Sequence, residues 1–351
     1  MITLNAKKLF QDVTRHDRIG RVSSVWATKT YFSEHGFMKS TDNDIQITTN
    51  LNGELKSSAT VDRKKLKELL KSLGDIEITI ETSETFFSID AGESAFTIEN
   101  CKDWETKHQN EIELQNDSDY FIKLTKKAFL SYFRPLLSHA AENDVRYYLS
   151  GVLFDCDKKG DINLVATDGH RLLLNKIGGG DKSSKRIVSR RLIDIAVKST
   201  TNYKDDVLIN VGDIESSILI GDTAFYMKNI DGRYPDYERV IPKHDNQLVF
   251  DRKELLQALE EIKPFVTKRY RLARFLFDKK LSIQAEGNEK TVCFKGNPLN
   301  AEMGFNVDYM IDALKASNQA TVSLSVYSSL SAVKITQDDS ATGIVMPARL
   351  D

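Results

Sequence analysis

Asp168 and His170 stand two residues apart in Leu164-Val165-Ala166-Thr167-Asp168-Gly169-His170-Arg171-Leu172, with Asp155 and Asp157 a short way upstream. Carboxylates and an imidazole at close spacing are the raw material of a metal site or of general acid–base chemistry. The spacing here matches no known ligand pattern. The three cysteines, Cys101, Cys156 and Cys293, are scattered and form no Cys-x-x-Cys pair. The sequence contains no Gly-x-x-x-x-Gly-Lys-Ser/Thr phosphate loop and no Gly-x-Ser-x-Gly turn, and Gly178-Gly179-Gly180 reads as a flexible loop. The expectation is a protein without catalysis, metal or cofactor.

What positions these residues is a turn. Asp-Gly tolerates the backbone reversal between two apolar strands, and would set His170 and Arg171 at a strand edge beside an apolar surface. The chain of 351 residues has room for two or three domains. Its 49 basic and 51 acidic residues give a formal net charge of -2, so only the distribution of charge could argue for a polyanionic partner. An odd number of dispersed cysteines fits a reducing compartment. Met1 to Phe10 is not a signal sequence, and no segment approaches the roughly 20 apolar residues of a membrane span. These features predict a soluble, cytoplasmic protein.

The chain repeats itself three times. Leu4-Asn5-Ala6-Lys7-Lys8-Leu9-Phe10, Leu124-Thr125-Lys126-Lys127-Ala128-Phe129-Leu130 and Phe250-Asp251-Arg252-Lys253-Glu254-Leu255-Leu256 share one design. Each has an apolar residue, a capping residue, a basic pair and a helical apolar stripe. A second helix start follows each: Asp62 before Arg63-Lys64-Lys65, Ser189 before Arg190-Arg191, and Asn306 before Val307-Asp308-Tyr309. Three strand-like runs then close each repeat: Ile76–Ile80, Phe86–Ile89 and Ala95–Ile98; Val207–Val211, Ile218–Ile220 and Ala224–Met227; Val322–Val326, Ala332–Ile335 and Thr342–Met346. The pattern predicts an α+β fold of three similar domains, 1–118, 119–247 and 248–351, each with two helices packed on antiparallel strands.

Five of the six helix starts carry basic pairs or triplets, against the preference of a helix N-terminus for acidic side chains. They are either solvated heads or contacts for the phosphates of a polyanion.

Several stretches resemble the bacterial sliding clamp, the β subunit of the replicative DNA polymerase. They are Asp144 to Gly151, Val165 to Leu172, Ile230-Asp231-Gly232-Arg233-Tyr234-Pro235-Asp236-Tyr237-Glu238-Arg239-Val240-Ile241-Pro242, Gly304 to Tyr309, and Val345-Met346-Pro347-Ala348-Arg349-Leu350. The resemblance spans the chain. It is strongest in the second and third repeats, and in the first rests mainly on the helices and Ser40-Thr41-Asp42. It implies a six-domain ring formed by a head-to-tail homodimer, with helices around a hole for double-stranded DNA and sheets outside. The function implied is that of a processivity factor, loaded by a separate ATP-driven clamp loader.

By the same resemblance, a pocket between the second and third domains takes short peptide motifs from the replicative polymerase, the clamp loader and repair proteins. Its wall would comprise Leu149, Thr167, Gly169, His170, Arg171 and Leu172, then Pro235, Arg239 and Val240, then Asn306, Tyr309, Val345, Met346, Pro347 and Arg349. Such a Leu/Val/Met/Pro-lined groove suits apolar side chains, with a few polar groups to fix direction. Positions matching DNA contacts are Arg21, Asn143, Tyr147, Tyr148, Arg190 and Arg191; Phe265 and Val266 match the dimer interface. Ala348 stands where the family carries a bulkier apolar residue, Ala332 where a polar one is frequent, and Asp351 extends the usual Arg-Leu end. An alternative is a clamp-derived accessory protein that keeps the pocket without closing a ring.

Overall fold

A computed structural model describes residues 1–20, 25–101, 118–180, 182–202, 206–243, 246–316, 318–338 and 341–350. Two compact units emerge, one of residues 1–126 with 191–229 and one of residues 127–190 with 230–351.

In the first unit, Asn5 ends a short strand, Ile2–Asn5, and starts helix α1 (Ala6–His16) by accepting Lys8 N at 3.1 Å. Asp62 does the same for helix α2 (Arg63–Leu73), accepting Lys65 N at 3.0 Å. Each cap satisfies one of the free amides of the first turn. A four-stranded antiparallel sheet runs in the order Ile2–Asn5, Glu77–Thr82, Phe86–Asp90, Ala95–Glu99. An eight-stranded antiparallel sheet runs Ala59–Asp62, Lys29–Phe32, Phe37–Thr41, Ile45–Asn50, Thr223–Lys228, Glu215–Ile220, Val207–Gly212, Ser118–Leu124. The apolar stripes of α1 and α2, including Leu9, Val13, Leu66 and Leu70, are buried in one cluster with Phe32 and Phe87. Beside it lies a buried polar chain. His16 Nδ1 is 2.9 Å from Ser40 Oγ and its Nε2 is 3.0 Å from Thr49 Oγ1, which lies 2.9 Å from Thr223 Oγ1.

Helix α3 (Lys126–His139) belongs to the second unit from its second residue on; helix α4 (Arg190–Ser199) belongs to the first from its second residue on. The second unit adds helices α5 (Arg252–Ile262) and α6 (Val307–Lys315), capped by Asp251 onto Glu254 N at 2.9 Å and by Asn306 onto Asp308 N at 2.9 Å. Its nine-stranded antiparallel sheet runs Ser184–Ser189, Gly151–Cys156, Asp161–Thr167, Arg171–Gly178, Ala341–Val345, Val333–Asp338, Thr321–Ser325, Gln247–Asp251, Phe294–Lys295. A four-stranded sheet runs Asn288–Val292, Leu281–Ala285, Leu272–Phe277, Ala301–Asn306. Each strand-like run read from the sequence overlaps a strand, with Ile76, Val326, Ala332 and Met346 falling just outside. The strands Ile2–Asn5, Ser118–Leu124 and Gln247–Asp251, one before the first helix of each repeat, were legible only as the apolar residue ahead of a cap.

Among the described residues, no helix is long and apolar enough to cross a membrane.

Candidate functional site

The turn Thr167–Arg171 is built by its own side chains. Thr167 Oγ1 donates to the Arg171 carbonyl at 2.6 Å and accepts from Gly169 N at 3.0 Å. Asp168 Oδ1 accepts from His170 N at 2.9 Å and Arg171 N at 3.0 Å. Gly169 has φ +89°, which glycine adopts without strain, and a Cβ there would lie 2.7 Å from the Arg146 guanidinium, which would have to shift. Arg146 donates to the Asp168 carbonyl at 2.9 Å and grips Asp144 through Nε at 3.1 Å and Nη2 at 2.7 Å. That hydrogen-bonded pair holds the Asp144 carboxyl down at about 2.

Arg171 is the hub. Its Nε donates to Asp168 Oδ2 at 3.0 Å, its Nη1 to Asp312 Oδ2 at 2.5 Å, and its Nη2 to the Ser138 carbonyl near the end of α3. The guanidinium carbon lies 4.3 Å from the centre of the Tyr309 ring, and the His170 ring stacks on Tyr309 at 6.3 Å and 20°. Tyr309 is itself placed by the cap of α6, since Asn306 Oδ1 also accepts Tyr309 N at 3.3 Å. Asn306 thus bears on Tyr309 as the cap of its helix. Beneath Arg171 the nearly enclosed His139 keeps Nδ1 2.8 Å from the Pro135 carbonyl; burial, then the Arg171 charge, bring its pKa down to about 4.

The pairing of Arg171–Gly178 with Ala341–Val345 sets Arg171 opposite Val345 and Leu172 opposite Ile344. It continues through Met346 N, which donates to the His170 carbonyl at 2.9 Å, and Ala348 N, which donates to the Gly304 carbonyl at 2.8 Å. Leu149, Leu172 and Val345 are buried, whereas Met346 is 43% exposed. Pro347 is half-buried and Arg349 exposed on the same tail. The 230–242 segment is laid onto the sheet by two phenols. Tyr234 donates to the Val165 carbonyl at 3.3 Å, and Tyr237 donates to Asp155 Oδ2 at 2.9 Å. Between and beyond these anchors Pro235, Arg239 and Val240 stay exposed, with Arg239 paired to Asp236 at 2.7 Å.

The carboxylates of the acid–base constellation suggested by residue types have structural partners. Asp168 accepts from two amides and Arg171, and Asp155 from Tyr237 and from Lys185 at 2.7 Å, while the exposed His170 ring lies over Tyr309. Among the described residues, no group of three or more His, Cys, Asp and Glu side chains could hold a metal ion.

The basic helix starts divide in a way the sequence does not display. The first residue of each of four helices reaches a backbone carbonyl: Arg63 those of Ala27 and Lys29, Lys126 that of Thr201, Arg190 that of Leu137, and Arg252 those of Leu314 and Gln319. Several of these acceptors lie at helix C-terminal ends, where a cation is favoured. Arg190 also pairs with Glu142 at 3.2 Å, and Arg191 with the buried Asp42, with Asp44 at 3.4 Å and with the Ile19 carbonyl. One position further on in α3 and α5, Lys127 and Lys253 are exposed. Tyr147 is 59% exposed while Tyr148 packs on the Leu153–Val165–Leu172 cluster, so only the first faces outward. Asn143 is exposed with φ +57°. Arg21 and Asp351 lie outside the described residues. Phe265 is 40% exposed, whereas Val266, at 6%, belongs to the core of its own chain.

Three residues at or beside the site were passed over in the sequence. Arg146 lies inside a quoted motif. Asp312 follows Tyr309 by three residues on α6, the spacing of a shared helix face. Leu330, 75% exposed, lies on the loop into the strand Val333–Asp338, whose Val333 pairs with Val345.

Family models for the DNA polymerase III beta subunit match in two places, the central domain over residues 124–236 and the C-terminal domain over residues 238–349. The beta sliding clamp of Vibrio cholerae is 30% identical over 338 residues, covering 89% of this chain and 88% of that one. The beta sliding clamp of Pseudomonas aeruginosa is 33% identical, covering 83% and 82%. A crystal structure of the DNA polymerase sliding clamp from Pseudomonas aeruginosa with ligand superposes with a TM-score of 0.88 at 26% identity, over 99% of both chains. Another Pseudomonas aeruginosa structure, bound to griselimycin, gives 0.87 at 26% identity over 99% of both. Two consecutive family domains, relatives matched along most of their length and the superposed fold agree, and this chain belongs to the bacterial β sliding clamp family.

Proposed function

We propose that the chain is a non-enzymatic processivity factor that closes into a ring with a second copy, encircles duplex DNA and recruits polymerase and other clients at the Arg171–Tyr309–Met346 site. The observation that carries the site is the junction at His170. There an exposed, conformationally adaptable methionine is fixed by backbone pairing beside a turn whose polar groups are already satisfied. Such a surface offers apolar contact beside polar groups already held in the turn. It suits peptides that share apolar anchors and differ elsewhere.

The domains are assigned as 1–118, 119–247 and 248–351; the two family matches fall in the second and third of these and change over at residue 237, ahead of the assigned boundary. Of the matching DNA positions, Asn143 and Tyr147 are the exposed pair, joined by Lys127 and Lys253. Phe265 is the member of its pair available to a second copy. The protein works in the cytoplasm, on nucleoid DNA.

Light scattering across a dilution series tests the ring. A mass near twice 39.7 kDa that survives dilution, followed by retention on circular but not linear DNA, is the expected result. A persistent monomer would favour an accessory protein that uses the peptide site alone.

A further inference from the structure

The repeat supplies a comparison within the molecule. Residues Thr41–Ile45 form the same turn as Thr167–Arg171. Thr41 Oγ1 donates to the Ile45 carbonyl at 2.9 Å and accepts Asn43 N at 3.2 Å. Asp42 Oδ1 accepts Asp44 N at 3.2 Å and Ile45 N at 3.1 Å, and Asn43, in the place of Gly169, has φ +80°. In both copies the second oxygen of the aspartate takes an arginine that ties the turn to the second helix of the next repeat. In the first copy that arginine is on the helix: Arg191 of α4 meets Asp42 directly. In the second it is on the turn, as Arg171, and an acid on the helix completes the tie: Asp312 of α6.

The reversal changes what the helix can display. Leu192 stands third in α4, as Tyr309 stands third in α6, and Leu192 is buried. Tyr309 instead lies against the flat face of Arg171, whose edges are held by Asp168, Asp312 and the Ser138 carbonyl. A guanidinium with its edge donors occupied and two carboxylates beside it is a rigid plate rather than a free charge. We propose that Asp312 is a positioning residue for the client-peptide site, holding Arg171 behind Tyr309 so that the wall running through His170 to Met346 is set before a peptide arrives. This rests on the peptide-site reading above. A wall ordered in advance spares the peptide the cost of ordering it.

The test uses the full-length protein and a labelled peptide copied from the client segment of its replicative polymerase. Binding is followed by fluorescence anisotropy and folding by thermal denaturation. Asp312→Asn is expected to weaken binding about tenfold with a small change in unfolding temperature, and Asp312→Glu to restore most of it. Arg171→Lys, which keeps the charge and removes the plate, is expected to lose a similar factor and covers the case in which Asp312→Asn folds poorly. In a Tyr309→Leu background Asp312→Asn should add little, because its effect passes through the ring, whereas general loosening would add in full. Unchanged affinity of Asp312→Asn, or full additivity with Tyr309→Leu, overturns the proposal while the peptide site stands. A wild-type protein that does not bind the peptide removes the site and the proposal together.

Discussion

Tyr237 Oη donates to Asp155 Oδ2 at 2.9 Å, fastening the 230–242 segment to the strand Gly151–Cys156. Asn163 Nδ2 donates to the same phenol oxygen at 3.1 Å, and burial together with the Asp155 charge pushes the phenol's pKa up. Tyr237→Phe leaves a buried carboxylate short of one donor, at a cost of about 1–3 kcal/mol. Urea unfolding should register that loss. Hydrogen exchange should quicken in the 230–242 segment before anywhere else in the second unit.

Met346 and Leu172 separate contact from support. Met346→Glu places a charge on an exposed side chain, and should abolish peptide binding while leaving the unfolding midpoint where it was. Leu172 is buried between strands, so Leu172→Ala is expected to cost about 2–5 kcal/mol of stability whatever its effect on peptides. Anisotropy and denaturation on the same two variants check both statements.

Charge removal should likewise split into two classes. Arg191→Ala strands the buried Asp42 carboxylate, so its main effect is a loss of stability of about 3 kcal/mol. Lys127→Ala combined with Lys253→Ala removes exposed cations and leaves stability untouched. Retention on circular DNA should fall in that double variant at low salt and converge with wild type as salt rises. Equal retention at all salt concentrations would take both lysines off the DNA-facing surface.

Two buried imidazoles make the fold sensitive to acid. Burial first, then the charges of Arg63 and Arg15, hold His16 well below its ordinary 6.5. His139 is brought down to about 4 by burial and Arg171, against the opposing pull of the Pro135 carbonyl, Asp312 and Asp168. The unfolded chain takes up a proton at each near 6.5, and the native chain does not until far lower. Stability is therefore complete above that value and is lost as pH falls below it, at up to about 1.4 kcal/mol per pH unit for each histidine. Unfolding temperatures between pH 7.5 and 5 should show the decline, and His139→Gln should make it shallower.

The helix starts were legible because capping is local chemistry. Asn5, Asp62, Asp251 and Asn306 each accept an amide two or three residues ahead, within the reach of any sequence window. The basic residues beside them were misread as one class because the carbonyls that Arg63, Arg190 and Arg252 reach lie far along the chain. The family motifs brought Arg171, Tyr309 and Met346 together, yet they could not say which residues are buried and which exposed. That distinction depends on strand register: Leu172 faces the core and Met346 passes beyond the paired strand. Asp312 escaped notice because its partner, Arg171, lies 141 residues away.

The sheet of the second unit has one further consequence. Arg171–Gly178 is bonded on one side to Asp161–Thr167 and on the other to Ala341–Val345, from the end of the chain. A chain stopped near Gln247 would leave Arg171 to Asn175 as an open margin, with amides and carbonyls unpaired beside three consecutive leucines. Such a margin is a template for any other strand. Shortened forms of this protein are therefore expected to stick to one another rather than to stand alone, although the chain reads as a row of separable modules.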